Sequence, residues 1–273
     1  MIPGKSKICV NFFRPAGSFS QGTALCHTIK KQQNEKGGVA IETWGILGGD
    51  ARTIWLIKML IRQGMNVRAC AVPGWEMSSL EETIHKSRAL ILPLPATRDG
   101  KTILGSGIRL DEELARQCEG KTVWAGQVSR LRRVWPGSEK LSLIDYGENE
   151  SFVKENARLT AEGALALALT RHPGTLLGSR CLVAGYGRIG KKLSERLKAM
   201  GTGVFILARR EESVKQAKEQ GMCAGQTLPD TTFDIVCNTV PARLFPMNGG
   251  PLFAENGLYM ELASAPGGAV AET

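Results

Sequence analysis

Between residues 41 and 150 the apolar residues come in two kinds of grouping. Short runs (ETWGILGG, NVRACAV, RALILPLP, KTVWAG and LSLIDY) are apolar almost throughout, several of them closed by glycine or proline. Between them lie segments with helical apolar spacing: DARTIWLIKMLIRQG, LEETIHK and LDEELARQC. The first kind predicts strands buried on both faces, the second amphipathic helices. Their alternation predicts a parallel sheet covered on both sides, so residues 41–150 read as one doubly wound domain. Residues 151–174, SFVKENARLTAEGALALALTRHPG, carry Ala and Leu at helical spacing up to Pro173 and Gly174, which predicts a long connecting helix. The alternation then resumes over residues 175–273 with SRCLVAGYG, RIGKKLSERLKAMG, TGVFILARR, FDIVCNTVP and GLYMELASAPGG. The expected fold class is α/β, two doubly wound parallel-sheet domains joined by a long helix.

Residues 1–40 break the pattern. They are polar, basic and aperiodic, and predict a disordered tail whose removal leaves the thermal midpoint nearly unchanged. They hold six Lys or Arg against the single acid Glu35, so more than half of the formal charge of +9 comes from this segment. The remainder has no basic run with interleaved aromatics, which argues against a nucleic-acid partner. Seven cysteines form no CxxC pair, and Cys70, Cys181 and Cys237 fall inside strand-like runs, which fits buried thiols in a reducing compartment. His27, His85 and His172 stand in no ligand spacing, so no metal site is expected. No apolar run reaches membrane-spanning length and the N-terminus lacks the apolar core of a secretory signal; no membrane association and a cytoplasmic location are expected.

The chemistry begins at Gly185-Tyr186-Gly187-Arg188-Ile189-Gly190. This G-x-G-x-x-G follows the apolar run CLVA and opens an amphipathic helix. The first glycine permits a tight turn, the second lets backbone N–H groups approach a pyrophosphate, and the third lets helix and strand pack closely. A helix N-terminus adds partial positive charge for the diphosphate. Residues 175–273 therefore read as a Rossmann NAD(P)-binding domain. Cofactor choice is set at the end of the next strand, where Arg209 and Arg210 stand in place of the usual ribose-binding acid. A guanidinium pairs with a 2′-phosphate, which favours NADP, while Glu211 and Glu212 close behind keep NAD open. Asn238-Thr239-Val240-Pro241, after a later strand, suits a loop lining the nicotinamide half of the site.

Several segments together resemble the A-type subunit of dipicolinate synthase: GGDAR at 48–52, LPLPATRDG at 92–100, IDYGENESFVKENARLTAEGAL at 144–165, LVAGYGRIGKKL at 182–193, ARR at 208–210, NTVPA at 238–242 and ELASAPGG at 261–268. The resemblance implies oxidation of a dihydrodipicolinate-type ring to pyridine-2,6-dicarboxylate in the mother cell of a sporulating bacterium. It also implies a second, flavoprotein-like synthase subunit, the B-type, as partner. The family's chain continues past the PGG element with another strand and helix, whereas this sequence stops at Thr273. The second domain is thus expected to be shortened, with an exposed sheet edge. A homo-oligomer is compatible with the reading.

For a dicarboxylate substrate, residues 41–150 are expected to form the substrate side. Arg52, near the start of the first helix, is a candidate carboxylate clamp, or else a surface arginine. A proton acceptor is sought among carboxylates. Asp50 is one candidate, although it also suits the N-cap of that helix. Glu162, with Thr160, is the other, since it interrupts an apolar helical face beside Gly163. Asn156 and Tyr146 suit either substrate contact or a structural staple. Two other readings stand beside this one: a shikimate-dehydrogenase-like or hydroxyacid dehydrogenase, and a non-catalytic NADP-binding scaffold.

Overall fold

The apolar runs become parallel strands in two sheets. In the structure, a computed structural model describing residues 8–11, 43–75, 78–246, 252–263 and 267–270, the chain divides into two units. One comprises residues 17–156, the other residues 157–273 together with residues 1–16.

After strand β1 (Ile8–Asn11) the first unit runs β2 (Thr43–Leu47), α1 (Ala51–Arg62), β3 (Asn66–Cys70), α2 (Leu80–His85), β4 (Ala89–Ile91), α3 (Glu112–Cys118), β5 (Thr122–Ala125), α4 (Val128–Val134) and β6 (Ser142–Asp145). The sheet order is β3-β2-β4-β5-β6, every pairing parallel. This is the flavodoxin-like order, which reverses between β2 and β4. Successive residues of one strand enter different cores. Ile46 and Ile91 pack with Trp44, Ile57 and Trp124, while Leu47 and Leu90 pack with Val123, Leu131 and Trp135. Burial on both faces is why these strands read as continuous apolar runs. Helix α4 was not evident from the sequence. It follows Gln127, which is left-handed (φ 60°, ψ 49°) and makes no side-chain cap, and its first amide, on Val128, donates instead to Asp145 Oδ2 at 2.7 Å.

Helix α5 (Glu150–Arg171) leads from the first unit into the second. Its Ala161, Ala164 and Ala168 are buried in the second unit's core beside Leu193, Ile206 and Ile235. There follow β7 (Arg180–Ala184), α6 (Arg188–Ala199), β8 (Gly203–Leu207), α7 (Glu211–Glu219), β9 (Cys223–Gly225), β10 (Phe233–Asn238), β11 (Phe245–Pro246), β12 (Phe253–Glu261) and β13 (Ala269–Val270). The main sheet has the order β1-β12-β10-β7-β8-β9, and β11 pairs separately with β13. Counted from β7, the strands stand 3-2-1-4-5, the Rossmann order, with β1 in the sixth place.

Two expectations change here. Residues 8–11 are not a free tail: Ile8, Cys9, Val10 and Asn11 pair in parallel with Leu258, Tyr259, Met260 and Glu261. The outer edge of β12, expected to lie bare, is therefore covered by a strand from the N-terminal segment. The rest of the expected tail lies outside the described residues. Cys70, Cys118, Cys181 and Cys237 are buried as expected, and burial pushes the Cys118 and Cys181 thiols up to about 12, whereas Cys223 is exposed. Among the described residues no helix is long and apolar enough to cross a membrane.

Candidate functional site

In the second unit the reversal of strand order falls between β7 and β10, and both glycine turn and NTVP loop stand at the carboxyl ends of those strands. Gly185 has φ +94°, a left-handed turn that favours glycine, and a side chain there would run into Thr239 Oγ1 and Val240 Cγ2. At Gly190 a β-carbon would strike the Gly185 carbonyl, so the start of α6 packs directly on the turn. Gly187 differs: a β-carbon there meets nothing within 4 Å. It is the N-cap of α6 and has no side chain to satisfy the first-turn amides. Two glycines are dictated by packing and the middle one by room, which is what a backbone-bound pyrophosphate needs. Tyr186 is buried, with Lys191 Nζ 5.3 Å from its ring centroid; Arg188 is exposed and Ile189 packs on the core.

Past β8, Arg209 and Arg210 are both exposed, and among the described residues neither guanidinium has a partner. The Arg209 carbonyl accepts from Gln226 Nε2 at 2.7 Å, which fixes the backbone there, and Arg210 is the N-cap of α7. The arrangement presents two cations where the second strand of the fold ends.

The NTVP loop is held from below. Thr239 donates twice to the Ala184 carbonyl, from its amide at 2.9 Å and from Oγ1 at 2.7 Å. Asn238 is fully buried; its Nδ2 donates to the Val240 carbonyl and to Glu261 Oε1, both at 2.8 Å, and its Oδ1 accepts from the Val240 amide at 3.1 Å. Glu261, at the end of β12, also accepts from the Ala263 amide (3.1 Å), the Tyr259 hydroxyl (2.6 Å) and the Gly268 amide (2.7 Å). Four donors converge on one buried carboxylate, two on each oxygen. Pro241 is exposed at the end of the loop. Sequence reasoning missed Glu261. Its signal was an acid at the end of an otherwise apolar strand, where burial demands partners.

In the first unit the same reversal places Gly48-Gly49-Asp50 after β2 beside Leu92-Pro93-Leu94 after β4. Asp50 is the N-cap of α1: Oδ1 accepts from the Arg52 amide at 3.0 Å, and the Asp50 amide donates to Thr53 Oγ1. The Arg52 guanidinium closes back on the same carboxylate, Nε at 2.9 Å and Nη2 at 2.8 Å, while Nη2 also donates to the Leu94 carbonyl at 3.0 Å. Burial works against ionisation of Asp50, yet the hydrogen bonds and charge of Arg52, with the charge of Arg98, hold its carboxyl below the ordinary range. A carboxylate so stabilised is a weak proton acceptor. Tyr146 donates to the Leu92 carbonyl at 2.9 Å and packs edge-on against Phe152, so it acts as a staple. Asp50, Arg52, Leu94, Tyr146 and Phe152 line a cavity of about 40 Å³.

Thr160 and Glu162 lie on α5, beside its buried alanines; Thr160 is half-buried and Glu162 exposed. Asn156, half-buried, is the last residue of the first unit.

Residues 43–146 match the family model for the N-terminal domain of the dipicolinate synthase A-type subunit. That match covers most of the first unit's described residues. The likeness in structure runs through both units. The A-type subunit of dipicolinate synthase from Bacillus halodurans superposes with a TM-score of 0.69 at 25% identity, covering 85% of this chain and 86% of that one. Its counterpart from Bacillus subtilis gives 0.67 at 22% identity, with 85% and 83% covered. A putative D-3-phosphoglycerate dehydrogenase from Ralstonia solanacearum shares the fold at 0.51 and 15% identity, over 80% of this chain and 72% of that one. The comparison with curated proteins gives no match. The chain thus combines a unit similar to the dipicolinate synthase N-terminal domain with a second unit of Rossmann strand order.

Proposed function

We propose that the chain is a nicotinamide-nucleotide-dependent oxidoreductase subunit that oxidises dihydrodipicolinate to pyridine-2,6-dicarboxylate. The observation that carries the reading is the open space over Gly187 at the start of α6, set at the strand reversal of a chain whose other unit matches the dipicolinate synthase N-terminal family model. The glycine turn would hold the diphosphate, the NTVP loop would border the nicotinamide, and Arg209 with Arg210 would take a 2′-phosphate, so NADP is the expected cofactor. A nicotinamide bound there supplies a hydride acceptor, and aromatisation of the ring favours hydride loss.

The chain's own residues hold and orient. The first unit presents the carboxyl edge of its sheet to a dicarboxylate, and Glu162 is the remaining carboxylate candidate for taking the ring proton. The role in sporulation and the flavoprotein-like second subunit follow from the family likeness and are part of the proposal. The test is turnover: purified protein with dihydrodipicolinate, NADP⁺ and the flavoprotein-like partner should form NADPH and dipicolinate together. A blank under those conditions, with NADPH binding intact, would leave a nucleotide-binding scaffold.

A further inference from the structure

Arg52 was the natural candidate to grip a substrate carboxylate, but the structure leaves it little capacity to do so. Its Nε and Nη2 are spent on Asp50, and Nη2 also reaches the Leu94 carbonyl. The pair is close to neutral, and opening it would leave the half-buried Asp50 without its cation. The cavity it lines is also too small. A benzene-sized ring occupies a cavity of roughly 150 Å³, against about 40 Å³ here. A pyridine ring with two carboxylates must therefore sit at the mouth, over the carboxyl ends of β2 and β4.

The loop after β4, whose first residues line the cavity, carries a second arginine, Arg98. Arg98 is exposed, and its loop is tied to the glycine turn before Asp50: the Gly49 amide donates to the Leu104 carbonyl at 2.6 Å, and the Leu104 amide to the Ala96 carbonyl at 2.9 Å. Among the described residues its guanidinium has no partner. The backbone that carries it is fixed. Asp99 accepts from the Lys101 and Thr102 amides (both 2.8 Å), Thr102 Oγ1 (2.7 Å) and Thr97 Oγ1 (3.0 Å). Thr97 is buried and takes the Gly100 amide at 3.0 Å, and the Arg98 carbonyl accepts from Arg130 Nη2 at 3.2 Å. A guanidinium without a partner, on a turn whose backbone is already fixed, can take a carboxylate at the cost of side-chain ordering alone.

We propose that Arg98, and not Arg52, takes a carboxylate of the substrate, Arg52 serving to hold Asp50 and the loop after β4. This rests on the dicarboxylate reading above and names the residue that selects for it. The probe is pyridine-2,6-dicarboxylate, titrated calorimetrically into the full chain, with NADPH titrated separately. Arg98→Gln should weaken dicarboxylate binding about tenfold or more, Arg98→Lys should recover part of it, and NADPH affinity should stay within about twofold. Thermal midpoints should be nearly unchanged in both variants, since the side chain is exposed. Wild-type-like dicarboxylate binding in Arg98→Gln would overturn the assignment and leave the proposed function standing. A wild-type protein that binds NADPH but no pyridine-2,6-dicarboxylate would overturn both.

Discussion

Asn238 and Glu261 meet at 2.8 Å beneath the second unit's strand reversal, joining the ends of β10 and β12 through a buried amide and a buried carboxylate. The same carboxylate holds the Gly268 amide, so one acid fixes two loops at the carboxyl edge of the sheet. Glu261→Ala leaves the Asn238 amide, the Tyr259 hydroxyl and the Gly268 N–H without their acceptor, and should lower stability by about 3 kcal/mol. Denaturant unfolding measures the loss. If the NTVP loop borders the nicotinamide, the milder Glu261→Gln should also weaken NADPH binding, read by fluorescence titration.

The three glycines of the turn should respond differently to alanine. Gly187→Ala adds a methyl where nothing stands, so stability should change by less than about 1 kcal/mol while nucleotide affinity falls at least about tenfold. Gly190→Ala drives a β-carbon into the Gly185 carbonyl and should cost about 2 kcal/mol or more, whether or not nucleotide is present. Thermal melts of both variants, with and without NADPH, separate the two roles. Equal destabilisation would contradict the assignment of Gly187 to ligand space.

Exchanging the cations after β8 tests cofactor choice. Arg209→Asp should cut the preference for NADPH over NADH about tenfold, a change of roughly 1.4 kcal/mol, by removing a 2′-phosphate partner and adding a repelling charge. Parallel titrations with the two reduced nucleotides decide it, and equal affinities in the unmodified protein would exclude the NADP assignment.

The Asp50–Arg52 pair has a pH signature. Because the folded carboxyl titrates below its ordinary value of 3.8, it stabilises the fold above that pH and loses the contribution as pH falls through its lowered value. Asp50→Asn keeps an equally good N-cap but removes the charge. The variant should be less stable at neutral pH by under about 1 kcal/mol, given that the Asp50 side chain is 42% exposed. Urea unfolding across a pH series should show the gap closing below pH 3.8.

The edge strand makes a final prediction, opposite to the one drawn from composition. Removing residues 1–11 should uncover β12 and lower the second unit's stability by about 2 kcal/mol, the order expected for a few backbone hydrogen bonds. Hydrogen exchange at Tyr259 and Met260, partners of Cys9 and Val10, should quicken locally. Unchanged exchange there would mean that β1 contributes nothing.

What could be read from the sequence was whatever is written locally. The runs around Ile46, Ile91 and Val183 announce strands because both faces are buried, and Asp50 announces a helix start because capping involves residues two and three positions away. The glycine turn was legible for the same reason. The Arg52–Asp50 pair was not legible, because the side chain folds back on the cap, a pairing that helical spacing does not suggest. Glu261 was silent because its partners come from strand neighbours and a returning loop. Helix α4 lacked a capping side chain at Gln127, its amide being satisfied by Asp145 from the next strand. The strand at Ile8 was hidden in a basic, aperiodic stretch, with its partner as distant in sequence as Leu258.

That distant pairing bears on how the protein is made. Ile8 emerges from the ribosome early but has nothing to pair with until Leu258 follows. Closing so long a loop is entropically slow, so the sixth place of the sheet should be filled late, after both cores have condensed. During that interval β12 offers an unsatisfied backbone edge, and the young chain is then most open to adhesion with its neighbours.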